Sequence, residues 1–164
     1  MNVNTNGITR KSLILIMLVS SVLMLLWAAG CTSAPSETPE KFVLKFLQRQ
    51  VPMIDRSVAD FYVKNERPGV IDRVQEFIAS MKEKGKLESL KNASYDLSNI
   101  KVNVLDQKDE YINDEEVKVV EVAAKGDYTK TVNGKSQSLT ADKIIVLQSV
   151  AGKWKVTEKV TPWK

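Results

Sequence analysis

After Asn92 the apolar residues change period, and that change decides the class of fold. Before it they recur every three or four positions, the spacing of a helix with one buried face. Beyond it they alternate, as in a half-buried strand. Helices first and strands after predict an α+β fold rather than alternating βα units. The expectation is N-terminal helices packed on a four-stranded antiparallel sheet, a meander.

The helical half opens at Thr38-Pro39-Glu40, where Thr38 suits a cap and Pro39 the first helical position. Phe42, Val43, Phe46 and Leu47 then fall on one stripe, which reads as a core face. Pro52 breaks or kinks this run. A second piece follows with Ile54, Val58, Phe61 and Tyr62 on one side. Pro68-Gly69 predicts a turn before a longer amphipathic helix carrying Val70, Ile71, Val74, Phe77, Ile78 and Met81. That helix ends near Gly85, and a short one follows around residues 87–90.

In the second half, residues 95–105 read as a strand with Ile100, Val102 and Val104 alternating. Residues 117–124 are a second strand whose apolar set shifts by one place. The shift predicts either a bulge near Val119 or burial on both sides. Gly126 marks a bend in a strand that runs on to Val132. Asn133-Gly134 favours a two-residue type I′ hairpin. Residues 136–150 return, with Ile145 and Leu147 on one face and Ile144, Val146 and Gln148 on the other. Ala151-Gly152 turns the chain into a last strand with Trp154, Val156, Glu158 and Val160 alternating.

The N-terminus has a different logic. Arg10 and Lys11 precede a 15-residue run, residues 13–27, interrupted only by Ser20 and Ser21. Ala28, Ala29 and Gly30 follow, then Cys31, the only cysteine. Basic, apolar, small is the order of a secretory signal peptide. A retained span is the rival reading, but 15 helical residues reach about 22 Å against a hydrocarbon core about 30 Å thick. A lone cysteine cannot form an internal disulfide, and here it lies between an apolar run and the small, polar, proline-bearing residues 32–37.

Leu25-Leu26-Trp27-Ala28-Ala29-Gly30-Cys31 resembles the bacterial lipobox, with Ala28 in place of the preferred leucine. The resemblance implies that residues 1–30 are removed as a signal peptide. It further implies that the Cys31 sulfur carries a diacylglyceryl group and that the new amino group is acylated, as with palmitate. Two long chains suffice for stable membrane attachment. Residues 31–37 would then be the lipidated cysteine and a flexible tether, with a single α+β domain over residues 38–164. Thr32 stands where an aspartate would signal inner-membrane retention. The site implied is the outer face of a cell membrane in a Gram-positive host, or the periplasm or outer membrane in a Gram-negative one.

The lipobox, the Thr38-Pro39-Glu40 helix start and the closing Gly152-Lys153-Trp154-Lys155-Val156 strand resemble small bacterial lipoproteins with a cone-shaped domain of the nuclear-transport-factor-like or cystatin-like type. That resemblance implies a curved antiparallel sheet wrapped around helices. Members of that class bind ligands, catalyse reactions or act as assembly modules, so fold alone does not assign a function.

The chemistry is restricted by what is missing. With no histidine in the chain, Ser-His-Asp and Cys-His catalysis and histidine-ligated zinc fall away. Arg10 and Lys11 belong to the leader, which leaves 22 of the 24 basic residues against 20 acidic ones. That near balance argues against a nucleic-acid partner. Gly134-Lys135-Ser136 echoes a phosphate loop, but Thr129 stands where its first glycine belongs, and the context is strand, turn, strand. Asp106, Asp109, Glu110, Asp114, Glu115 and Glu116 do not fit a calcium loop: Tyr111 stands where the glycine belongs and Val117 where the terminal glutamate does. They read as a solvated loop between strands. Asp60, Glu121 and Glu158 read as solvent-facing, Trp154 as inward-facing, and Trp163 as lying past the alternation.

The function expected is a membrane-anchored, non-catalytic binding or interaction module of the cell envelope, with no cofactor or metal. Its partners would be the membrane through Cys31 and an envelope protein or a small apolar ligand. Two alternatives stand beside it: a carrier or sensor of a small apolar ligand in the cone interior, and a carboxylate-based enzyme.

Overall fold

The structure is a computed structural model and describes residues 34–112 and 114–158. Cys31, the apolar run before it, and residues 159–164 with Val160 and Trp163 lie outside the described residues. Helices precede a curled antiparallel sheet, as the change of period predicts.

Helix α1, Pro39–Gln50, starts where Thr38 Oγ1 accepts the Lys41 amide at 3.4 Å, and Pro39 opens its first turn. Its stripe of Phe42, Val43, Phe46 and Leu47 is buried as expected and packs on the sheet. After Pro52 the chain makes a 3-10 turn, Arg56–Phe61, capped by Asp55, whose Oδ1 accepts the Ser57 amide at 2.8 Å. Helix α2, Arg67–Glu83, begins earlier than expected, since Pro68 and Gly69 lie in its first turn rather than in a turn before it. The missing amide of Pro68 costs nothing there, because the first amides of a helix lack partners anyway. Only Val70 and Val74 of α2 are buried, so it lies along the surface. A short α3, Leu87–Lys91, follows Gly85, whose φ is +63°.

The sheet comprises β1 (Ser94–Asp96), β2 (Lys101–Ile112), β3 (Glu115–Val132), β4 (Lys135–Val150) and β5 (Lys153–Val156). Neighbours are antiparallel and β2 to β5 form a meander, with the short β1 as a fifth strand. The first expected strand is therefore split. β1 and β2 both pair with β3, β1 with Thr129–Thr131 and β2 with Glu115–Lys125. The chain turns between them at Leu97, whose carbonyl accepts the Ile100 amide at 3.0 Å. Here the Asn99 carbonyl passes so close to Gly126 that a Cβ on Gly126 would stand 2.4 Å from it. Between β3 and β4, Asn133 and Gly134 have φ of +51° and +75°, the type I′ geometry their sequence favours.

Val120, Val122 and Ala124 of β3 pack with Ile145, Leu147, Trp154 and Val156 against Phe42, Val43, Phe46 and Tyr62. This is the core face of the sheet. The Trp154 indole also donates to the Glu37 carbonyl at 2.8 Å. Val119, Glu121 and Ala123 alternate onto the far face and are buried too. Burial on both sides therefore explains the shifted apolar pattern. The register irregularity lies in β2, between Val104 and Asp106, and not near Val119.

The Tyr62 ring meets Phe46 edge-on at 5.7 Å. Burial and then the nearby Glu158 carboxylate push its phenol up to about 12. An unfolded tyrosine titrates near 10. The folded value is the higher, so the stability involved is full below about pH 10 and is lost as pH rises towards 12. Urea midpoints measured between pH 8 and pH 11.5 are expected to fall above pH 10, and Tyr62→Phe is expected to flatten that fall.

Candidate functional site

The residues singled out by sequence do not converge. Asp60 and Glu158 are exposed as expected, with side chains 77% and 50% accessible. Glu158 pairs with Arg73 at 2.8 Å. Glu121 departs from expectation: it is fully buried on the far face, in register with Asp106 and Val146. The acidic stretch is also not a loop. Asp106, Asp109 and Glu110 belong to β2, and Glu115 and Glu116 open β3. Their hairpin reverses with Asp114 at φ +64°. An edge strand accommodates such charges because its outer side faces water. Lys108 pairs with Glu110 along it. Among the described residues, no cluster of acidic or cysteine side chains is placed to hold a metal ion.

What the fold does assemble is a cleft of about 900 Å³, drawn from three stretches distant in sequence. One wall is the segment between the 3-10 turn and α2, residues 63–67. The opposite wall is the β2–β3 hairpin, with Tyr111, Ile112, Glu115 and Val117. The floor is Gln148 and Val150 of β4 with Lys155 and Thr157.

The first wall is fastened to β5. Tyr62 bridges Val156 in parallel, and the Val63 amide donates to the Val156 carbonyl at 3.0 Å. The Glu66 carboxylate accepts the Thr157 hydroxyl at 2.9 Å on one oxygen and the Glu158 amide at 2.8 Å on the other. The Lys155 ammonium donates to the Asp60 carbonyl at 2.6 Å, and Arg67 Nε to the Tyr62 carbonyl at 3.1 Å. Glu66 is thus a structural clamp. A hydrogen bond to a charged group contributes about 1.5–3 kcal/mol, so Glu66→Ala is expected to cost about 2 kcal/mol in urea unfolding.

The cleft is mixed in character. Val63, Ile112, Val117 and Val150 give it apolar surface, and Val150 is 40% exposed. Lys64, Arg67 and Lys155 bring positive charge. Burial, and then the neighbouring Arg67 guanidinium, hold the Lys155 ammonium below the ordinary lysine value. The Arg67 Nη1 is 3.9 Å from the Asp60 carboxylate, a loose and exposed pair of small energetic weight.

The sequence placed Lys155 only in the closing strand and Gln148 only on one face of the strand before it, and it singled out neither Glu66, Arg67 nor Thr157. No local signal marks them, because strand register alone brings Gln148 opposite Lys155. No protein-family model, curated protein or solved structure matches the chain. Among the described residues, no helix is long and apolar enough to cross a membrane.

Proposed function

We propose that this protein is a lipid-anchored, non-catalytic binding module of the bacterial envelope, and that the cleft between residues 63–67 and the β2–β3 hairpin is its binding surface. Cys31 and the residues before it support the anchor. The cleft itself carries the binding reading. Its volume lies within the range of small-molecule sites, and apolar walls with a few convergent polar groups are what such sites present. A non-catalytic role is supported by the state of three carboxylates: Glu66 is committed to Thr157 and the Glu158 amide, and Asp60 and Glu158 are exposed and paired with Arg67 and Arg73. Phe46, Val43, Val120, Val122 and Leu147 fill the space between α1 and the sheet, so a ligand is better sought in the open cleft than in the cone interior.

Native mass spectrometry of the protein isolated from its membrane tests this. The expected result is a non-covalent added mass that is absent from Val117→Trp, whose indole would occupy the cleft. An added mass indifferent to that substitution, or turnover that depends on a single Asp or Glu, would overturn the reading.

A further inference from the structure

We infer that the cleft takes an amphipathic carboxylate, with its anionic end at Lys155 and Arg67 and its apolar chain along Val63, Ile112, Val117 and Val150. The inference rests on the binding reading above and names the class of ligand. Three cations, Lys64, Arg67 and Lys155, line the cleft. Two carboxylates line it as well: Glu66, still charged but held by Thr157 and Glu158, and Glu115 on the β2–β3 hairpin. Asp60 adds a third nearby, 3.9 Å from Arg67 and exposed. Around residues 63–67 and Lys155 the three cations outnumber Glu66 and Asp60 by one, and Glu115 stands on the hairpin away from them in sequence.

Each simpler ligand leaves part of this surface unmatched. A small inorganic anion would pair with the cations but leave Ile112, Val117 and Val150 wet. A neutral apolar molecule would cover those residues while stripping water from Lys155 and Arg67 without replacing it, which is unfavourable for charged groups. A cationic amphiphile would meet like charge. One anionic end and one apolar chain satisfy both halves of the lining. Lys155, whose ammonium is held by the Asp60 carbonyl at 2.6 Å, lines the same cleft as Arg67, so one anionic group can meet both.

The test uses the full chain in its membrane and two photoreactive probes: an eight-carbon carboxylate with a terminal diazirine, and the primary amine of the same length with the same diazirine. Adducts are mapped by peptide mass spectrometry. The carboxylate is expected to label residues 63–67, 111–117 and 148–157 at least tenfold more than the amine does, and excess octanoate is expected to suppress that labelling. Gln148→Glu sets a carboxylate opposite Lys155 without removing either cation, and is expected to lower the labelling at least fivefold. Lys155→Gln is expected to do the same, with thermal unfolding confirming that both variants are folded. Equal labelling of the cleft by the amine, or labelling unchanged in both variants, would overturn the carboxylate assignment while leaving the cleft as a binding surface. Labelling of the cleft no stronger than of the rest of the chain by either probe would overturn the binding reading as well.

Discussion

Phe46→Ala is expected to destabilise the domain by about 3–5 kcal/mol, the range for emptying a buried phenylalanine site. Phe46 is 1% exposed and stands where α1, the 3-10 turn and the sheet meet. Its ring touches Phe61 at 5.8 Å and Tyr62 at 5.7 Å. Both partners hang from the segment that leads into the cleft wall, so the cavity cannot close without moving that wall. A domain of this size has only about 5–15 kcal/mol of stability in total, so the loss is a large share of it. Tyr111 provides the contrast. It is equally aromatic but 77% exposed at the end of the β2–β3 hairpin, and Tyr111→Ala is expected to change stability by less than about 0.5 kcal/mol. Urea unfolding of the two variants beside the parent checks the pair. Similar losses for both would mean that the core does not centre on Phe46.

The second large effect is expected at Gly126. Its φ of +138° belongs to a region nearly closed to other residues, and an added Cβ would stand 2.4 Å from the Asn99 carbonyl oxygen and 3.3 Å from two further backbone atoms. Backbone cannot swing aside as a side-chain tip can. Gly126→Ala must therefore shift the chain between β1 and β2, at a cost of roughly 3 kcal/mol or more from combined strain and overpacking. Gly134 separates the two causes. It also has a positive φ, +75°, but nothing stands within 4 Å of its Cβ position. Gly134→Ala should thus show the conformational cost alone, roughly 1–2 kcal/mol. If the two variants lose the same stability, close passage of the chain over Gly126 contributes nothing.

These two glycines also mark what could be read from sequence and what could not. Asn133-Gly134 is a local signal, and its hairpin formed with both residues at positive φ, because the turn depends on little beyond its own two residues. The α1 stripe was legible for the same reason: helical spacing alone decides which side of a helix is apolar. Gly126 announced a bend but not its cause, which is a strand break 27 residues earlier at Asn99. The acidic stretch was misread because charge density suggested a loop, whereas an edge strand can keep its charges in water. Glu121 was misread because alternation assigns a face without saying what lies on it. The cleft was invisible for a deeper reason. Its walls and floor come from residues 63–67, 111–117 and 148–157, none unusual in its own neighbourhood. The register of β3 against β4, that of β4 against β5, and the clamp from Glu66 to Thr157 bring them together.

The functional reading depends first on lipid at Cys31, and the mass of the N-terminal peptide of the mature protein, taken from the membrane fraction, tests it most directly. The account predicts a chain that begins at Cys31 and carries a diacylglyceryl group on its sulfur, and it predicts that Cys31→Ser leaves the precursor uncut and unlipidated. An unmodified Cys31, or normal maturation of the Cys31→Ser chain, would contradict it.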